Sequence, residues 1–460
     1  MEQNLDVRAE LYNPAQFEAE TRSNMGIYDP VFNLGLDYSD ITTPLTGSTG
    51  IRDERSRAIK SDFSIIQFIP SGGTATIGFS NNLNRGDSKT STPREYWNSS
   101  FGISFDQPLL KNFGRENSNL KINVSRISKA AAFDTFRAVL MNTVAKVRTE
   151  YFNLYSLREQ LEVRKSSLEL ARKILADTKE RVAAGTLPSM EILNAEFGVT
   201  TREKELIDAE KAVRDAVDLL RLLLRLEGNI EPVTTNLPIR DIVETNEDQA
   251  IKLALERPDI SARRRDLEIS VLQSRVLHNN IKPDLSLVAS ASTAGLDHRF
   301  YGNLENIGSF DYPGWSVGLN FSYPIGNSVA RNDYLKSRLK SEQTAFQIKS
   351  LEESATNDVK AAVRAVSSSY KQLDVADRGR AYAEERLKAF IKKNEVGLAT
   401  TKDLLEVEND LATARNNQII AAVNYDGAIA ALWLATGEIL EKSGVIFNED
   451  NADKLYREVR

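Results

Sequence analysis

An apolar residue recurs at every seventh position through Phe133, Leu140, Val147, Leu154, Leu161, Leu168, Leu175 and Val182. The stretch that carries this row, about Asn117 to Ala184, contains neither proline nor glycine. A seven-residue repeat kept this long predicts a helix wound against other helices rather than one lying on a globular core. At about 1.5 Å per residue it would be a rod of roughly 100 Å. The chain turns at Gly185 and Pro188, and a second helix is expected over about Ser189 to Glu227, stopped by Gly228. The proline-bearing stretch NIEPVTTNLPIRDIVE then leads to Thr245, which with Asp248 predicts the N-cap of a further helix reaching about Ile281. Those two helices, end to end, match the long one in length. The pattern is a continuous rod backed by a two-piece one.

Elsewhere the period is two. In YDPVFNLGLDYSD, Phe32, Leu34, Leu36 and Tyr38 alternate with Asn33, Gly35, Asp37 and Ser39. In KPDLSLVASAST, Leu285, Leu287, Ala289 and Ala291 alternate with Ser286, Ser290 and Ser292. Each predicts a strand with one apolar face. Two more strands, FGISFDQP and VGLNFSYP, match residue for residue when Pro108 is set on Pro324. The helical turns repeat as well. Setting Gly185 on Gly397 also sets Glu191 on Asp403, Leu193 on Leu405 and Glu196 on Glu408. The chain therefore reads as a duplication. The first repeat is 1–228, with strands at about 28–108 and a long helical hairpin at about 117–227. A linker at 229–244 leads to the second repeat, 245–437, with strands at about 283–324 and its own hairpin, and a tail covers 438–460. Because MEQNLDVRA aligns with LERPDISA, the opening helix of the first repeat is expected to begin upstream, with a leader before it.

Composition removes most chemistry. With 27% charged residues the chain looks at first like a soluble globular protein. There is no cysteine, hence no disulfide, thiolate or cysteine metal site. His278 and His298 each stand without a second ligand at metal spacing. The net charge of −6 is evenly spread and speaks against nucleic-acid binding. The longest apolar candidate, AAVNYDGAIAALWLA, is broken by Asn424 and Asp426, so no membrane-spanning helix is expected. SGGTATIG lacks the Lys-Ser/Thr of a phosphate loop and reads as a turn. With no convergent nucleophile and base, nucleotide loop or metal cluster, neither catalysis nor a cofactor is expected.

Taken together, the duplication, the strand-to-helix passage SFDQPLLKNFGRENSNLKI and the two G-x5-[DE]-x-L turns make the chain resemble the TolC-like outer-membrane factor family over essentially its whole length. The resemblance implies an α+β membrane protein in which a trimeric α-helical periplasmic barrel joins a transmembrane β-barrel. It implies a homotrimer held in outer-membrane lipid of a Gram-negative bacterium and extending through the periplasm. Such a trimer is the passive exit duct of a tripartite efflux pump or a type I secretion system, working with a periplasmic adaptor and an inner-membrane transporter. Elementary physics agrees, since two strands per repeat cannot close a barrel alone and an open edge in hydrocarbon leaves backbone groups unsatisfied. A structural or adhesive trimeric coiled-coil outer-membrane protein is the alternative, but it expects its strands gathered at one end of the chain. A cytosolic coiled-coil scaffold is a third class, which membrane fractionation would test.

The stretch from Tyr28 to Pro108 is about twice as long as that from Pro283 to Pro324. Its surplus, including DFSIIQFIPSGGTATIGFS, is read as an extracellular hairpin in a twelve-stranded barrel; two further membrane strands turning at Pro70 to Gly73, eighteen in all, are the alternative. The resemblance also assigns sites. Asp403 and Glu406, with Glu191 as the first-repeat counterpart of Asp403, would line the pore constriction as an acidic ring; the other reading is first-turn acids complementing a helix N-terminus. The basic residue and tyrosine that lock the constriction in well-known members are replaced by Ala399 and Asn394, and Lys393, Lys402 and Arg181 are the basic residues nearby. Gly185, Leu187, Gly397 and Leu398, with both leucines expected to be exposed, would be the adaptor-docking tips. Tyr28, Trp97, Tyr312, Trp315 and Tyr323 lie near predicted strand ends, as interfacial belts would.

Overall fold

The alternating segments form one antiparallel sheet whose strands follow chain order. In a computed structural model, which describes residues 4–47, 50–86, 95–226, 228, 230–446 and 454–457, these strands are β1 (Val31–Gly47), β2 (Gly50–Phe68), β3 (Thr74–Gly86), β4 (Glu95–Pro108), β5 (Asp284–Asp297) and β6 (Pro313–Ser322). Register separates the two faces. Leu34, Phe63, Phe79, Phe101 and Thr293 stand opposite one another across five strands, and the adjacent row is Gly35, Asp62, Ser80, Ser100 and Ala294. One face is thus a band of large apolar side chains and the other is small and polar. β1 and β6 are the edges.

The surplus of the first repeat is not an extracellular hairpin outside the sheet. It is β2 and β3, paired in register with β1 and β4, so the described residues form one six-stranded sheet rather than the four strands that the expected twelve-stranded barrel would take from one chain. Two features hid β2. Ile65 and Ile66 are adjacent apolar residues on opposite faces, which breaks the visible alternation. Its far half is charged, and there Arg55 pairs across the strands with Asp40. The turn from β2 to β3 is held from outside, since Gly114 N–H donates to Ser71 O at 2.9 Å and Gln107 Nε2 to the same carbonyl at 3.2 Å. Gly72 at φ +96° is required there, because a Cβ would lie 2.3 Å from Asn112 O.

The helices are α1 (Leu5–Met25), α2 (Arg115–Ser118), α3 (Leu120–Ala183), α4 (Met190–Leu224), α5 (Glu247–Ala254), α6 (Pro258–Asn279), α7 (Phe300–Gly308), α8 (Ser328–Glu395), α9 (Thr401–Thr436) and α10 (Ile439–Lys442). Three boundaries differ from expectation. α4 ends at Leu224, capped by Arg225, which itself takes the left-handed conformation (φ 53°) three residues before Gly228. Asn246 rather than Thr245 caps α5, its side chain accepting from Gln249 N. The helix expected to run on to Ile281 is broken before Pro258, which cannot donate a backbone hydrogen bond. α7, in the β5–β6 connection, was not expected at all. Glu227, Asn229 and, in the N- and C-terminal segments, residues 1–3, 447–453 and 458–460 lie outside the described residues.

Two compact units result, one within Met1–Asn13, Ala131–Arg263 and Gln347–Glu458, the other within Pro14–Ala130 and Arg264–Phe346. The second holds the sheet. In the first, every member of the heptad row is buried or half-buried. Leu154 packs with Ala216 and Leu220 of α4, and Leu140 with Val7 of α1 and Ile439 of α10. Val359 and Val366 of α8 meet Tyr425 and Ile429 of α9. Against the expectation of no such helix, α9 is long and apolar enough, by length and composition, to cross a membrane, with a window of mean hydropathy 1.4. Half of that window is buried within its unit, where its apolar residues serve as core.

Candidate functional site

Both helical hairpins end in the same turn. Gly185 (φ +75°) and Gly397 (φ +76°) are left-handed, and each turn closes by the same pair of bonds: Thr186 N to Arg181 O at 3.0 Å with Gly185 N to Val182 O, and Leu398 N to Lys393 O at 2.8 Å with Gly397 N to Asn394 O. This is the glycine-ended helix stop in which the following N–H groups satisfy the last carbonyls. The two tips differ in surface. Leu398 is 78% exposed beside Val396 at 70%, whereas Leu187 is half-buried, against the expectation that both leucines project.

The acids sit on the returning helices. Thr400 caps α9 in a capping box: Asp403 N–H donates to Thr400 Oγ1 at 3.1 Å, and Thr400 N–H donates back to Asp403 Oδ2 at 2.9 Å. The hydrogen bonds from the Thr400 backbone and hydroxyl hold the Asp403 carboxyl below the usual carboxylate range. Its charge therefore persists to lower pH than that of an ordinary aspartate. Glu406, one turn on, is exposed. Glu191, in the first turn of α4, is half-buried, with Oε2 lacking a hydrogen-bond partner. No capping box forms there, because Ser189 is helical and its side chain makes no cap bond.

Of the three nearby basic residues, Arg181 is the one that reaches the other hairpin. Its guanidinium donates to Asn394 Oδ1 at 2.9 Å, and Asn394 Nδ2 donates to Ala399 O at 2.9 Å. Lys393 instead lies over the Phe390 ring at 5.0 Å. Further along, a buried ionic node joins three helices. Arg202 of α4 donates to Glu408 Oε2 of α9 at 2.9 Å, and the Ser167 hydroxyl of α3 donates to Glu408 Oε1. The two charged side chains are 9% and 4% exposed. Gly198, one turn before Arg202, brings α4 against Leu405, whose Cδ1 would lie 2.9 Å from a Cβ there. Sequence reasoning noticed Glu408 as the repeat mate of Glu196 but not its pairing. The same register sets Arg202 on Ala414, and Glu196 pairs with Lys179 on the surface at 3.0 Å.

A sheet with one apolar face, joined in chain order to long helical hairpins with glycine tips, is a TolC-like build. The chain belongs to the outer membrane efflux protein family, whose sequence model matches residues 73–224 and 250–438. It is 23% identical over 393 residues to the outer membrane efflux protein BepC of Brucella suis, covering 82% of this chain and 80% of that one. It is 23% identical to outer membrane protein TolC of Escherichia coli over 65% of this chain, and 23% identical to nodulation protein T of Rhizobium leguminosarum over 67%. The matches span just under two thirds of those two relatives, 63% and 65% of their lengths. Among solved structures, the Campylobacter jejuni CmeC outer membrane channel superposes with a TM-score of 0.67 at 15% identity, covering 99% of this chain and 86% of that one. For CusC the TM-score is 0.70 at 16% identity, with coverage of 94% and 89%. The fold is TolC-like.

Proposed function

We propose that the chain is one protomer of a homotrimeric exit duct in the outer membrane of a Gram-negative bacterium, with its helical hairpins in the periplasm. The observation that carries the proposal is the sheet, which has an apolar face and two open edges. In hydrocarbon such edges must be paired, and pairing β6 of one copy with β1 of the next closes three chains into an eighteen-stranded barrel. With strands about 4.8 Å apart and tilted about 40°, that barrel is about 36 Å across, wide enough for an aqueous lumen lined by the polar face. The exposed apolar residues Met190, Leu193, Phe197 and Ile207 on α4 would be covered by neighbouring copies. The two structural repeats, 1–228 and 245–437, with the linker 229–244 between them and the tail 438–460 after them, supply the hairpins.

In this duct Asp403, Glu406 and Glu191 ring the periplasmic constriction, and Gly185, Leu187, Gly397 and Leu398 meet a periplasmic adaptor. The half-buried Leu187 gives the first tip the smaller share of that contact. An inner-membrane transporter, in a tripartite pump or a type I system, supplies energy and choice of cargo. The purified protein added to planar bilayers is expected to give discrete conductance steps with a cation preference, since stacked carboxylates favour cations. Asp403→Ala with Glu406→Ala should reduce that preference. Absence of conductance steps would overturn the duct, and unchanged selectivity in the double variant would leave both residues as first-turn acids only.

A further inference from the structure

Next to the aromatic row, the apolar face of the sheet carries a small and polar row that begins with Ser61 on β2. Asn81, Ser99 and Gly295 stand opposite one another on that face, with Thr293 two positions along from Gly295. Small and polar side chains facing hydrocarbon would be costly. They do not face it, because α7 folds back onto the sheet and covers them, leaving Ser99 1% and Thr293 2% exposed. Asn303 of α7, fully buried, donates from Nδ2 to Ser99 Oγ, which in turn donates to Asn81 Oδ1 at 2.6 Å. Asn306 Nδ2 donates to Leu296 O at 3.0 Å, and Phe300 meets Trp97 edge-on at 5.0 Å. Gly295 permits the contact, since a Cβ there would lie 2.1 Å from Asn303 O. The helix and the polar row thus share these hydrogen bonds, while Asn303 Oδ1 and Thr293 Oγ1 stay buried without a partner.

The other side of α7 is uncovered. Tyr301 is 84% exposed, and the residues that follow the helix, Phe310 and Tyr312, are 63% and 60% exposed beside Trp315 at 83%. Tyrosines and tryptophans such as Tyr301, Tyr312 and Trp315 sit at the level of lipid headgroups, where the ring is apolar and the hydroxyl or N–H is wet. We infer that α7 is a membrane-interface helix, lying on the outer wall of the barrel with Tyr301 in the headgroup layer of the leaflet nearer the β5–β6 connection, and continuous with the apolar band below it. The partner is a lipid surface. The inference rests on the membrane reading of the sheet, and its test separates the two.

Because the chain has no cysteine, single cysteines can be placed and spin-labelled without background. Labels at Tyr301→Cys, at Glu305→Cys one turn on, at Phe63→Cys in the apolar band and at Thr43→Cys towards the far end of β1 would be compared in phosphatidylethanolamine–phosphatidylglycerol vesicles. Power saturation with oxygen and with a water-soluble nickel chelate reads depth. The oxygen-to-nickel ratio at Tyr301 and Glu305 should fall between those at Phe63 and Thr43, and several-fold above the latter. Gly295→Val, which unseats α7, should drop the Tyr301 ratio to the Thr43 level and leave Phe63 unchanged. A Tyr301 label as open to nickel as Thr43, or shielded from both reagents by protein, would overturn the inference while leaving Phe63 in lipid. Nickel access at Phe63 as well would overturn the membrane reading itself.

Discussion

Replacing Glu408 with Leu is expected to destabilise the helical unit by about 3–5 kcal/mol, because it leaves the Arg202 guanidinium buried without an anion. Arg202→Met should cost a similar amount, stranding the carboxylate with the Ser167 hydroxyl as its remaining partner. Ser167→Ala removes a single hydrogen bond to a charged group and should cost less, about 1.5–3 kcal/mol. The double variant Arg202→Met with Glu408→Leu should recover most of the loss, since two apolar side chains of similar volume need no pairing. Denaturant unfolding followed by helical circular dichroism measures all four. A loss below about 1 kcal/mol in the single variants, the value of an exposed pair, would mean that water reaches the node.

The second large effect concerns the exposed tip. Leu398→Asp places a charge at the most exposed apolar residue of the two hairpin turns, and Gly397→Val forces a β-branched side chain into a left-handed conformation at a cost of about 1–2 kcal/mol. Either change should reduce export to the level of cells lacking the protein while leaving trimer assembly intact. The matching change at Leu187, which is already half-buried, should weaken export less. Dye efflux from a host without its own outer-membrane duct reads the effect. Export at the unmodified level by Leu398→Asp would remove this tip from the docking surface.

Legibility in the sequence followed the range of the interaction. The heptad row from Phe133 to Val182 was readable because helix packing imposes its period on local sequence, and each of those residues is at least half-buried. The alternation in β1 and β5 was readable because one face is apolar and the other is not. β2 stood only in the second of the two readings because half of it is charged, and Arg55 there finds its partner Asp40 on another strand. α7 was missed because its nine residues form a helix whose apolar side is completed by the sheet. The buried node was beyond reach for the same reason, since Arg202 and Glu408 are 206 residues apart. At the candidate site the turn glycines and first-turn acids were visible as motifs. The capping bonds of Asp403 follow from the local spacing Thr400-x-x-Asp403, a legible signature, whereas the Arg181 to Asn394 link joins residues 213 apart and leaves no local pattern.

The central claim, that three copies close a barrel through the open edges of the sheet, is tested most directly by cross-linking those edges. In the cysteine-free chain, one cysteine at Ser316 on β6 is combined in turn with one at each position from Val31 to Tyr38 on β1, and the protein is oxidised in its membrane. The account predicts that the best-matched combinations give a denaturing-gel ladder of one, two and three chains that ends at three. Chains that remain single at every combination, or a ladder that continues beyond three, would contradict it.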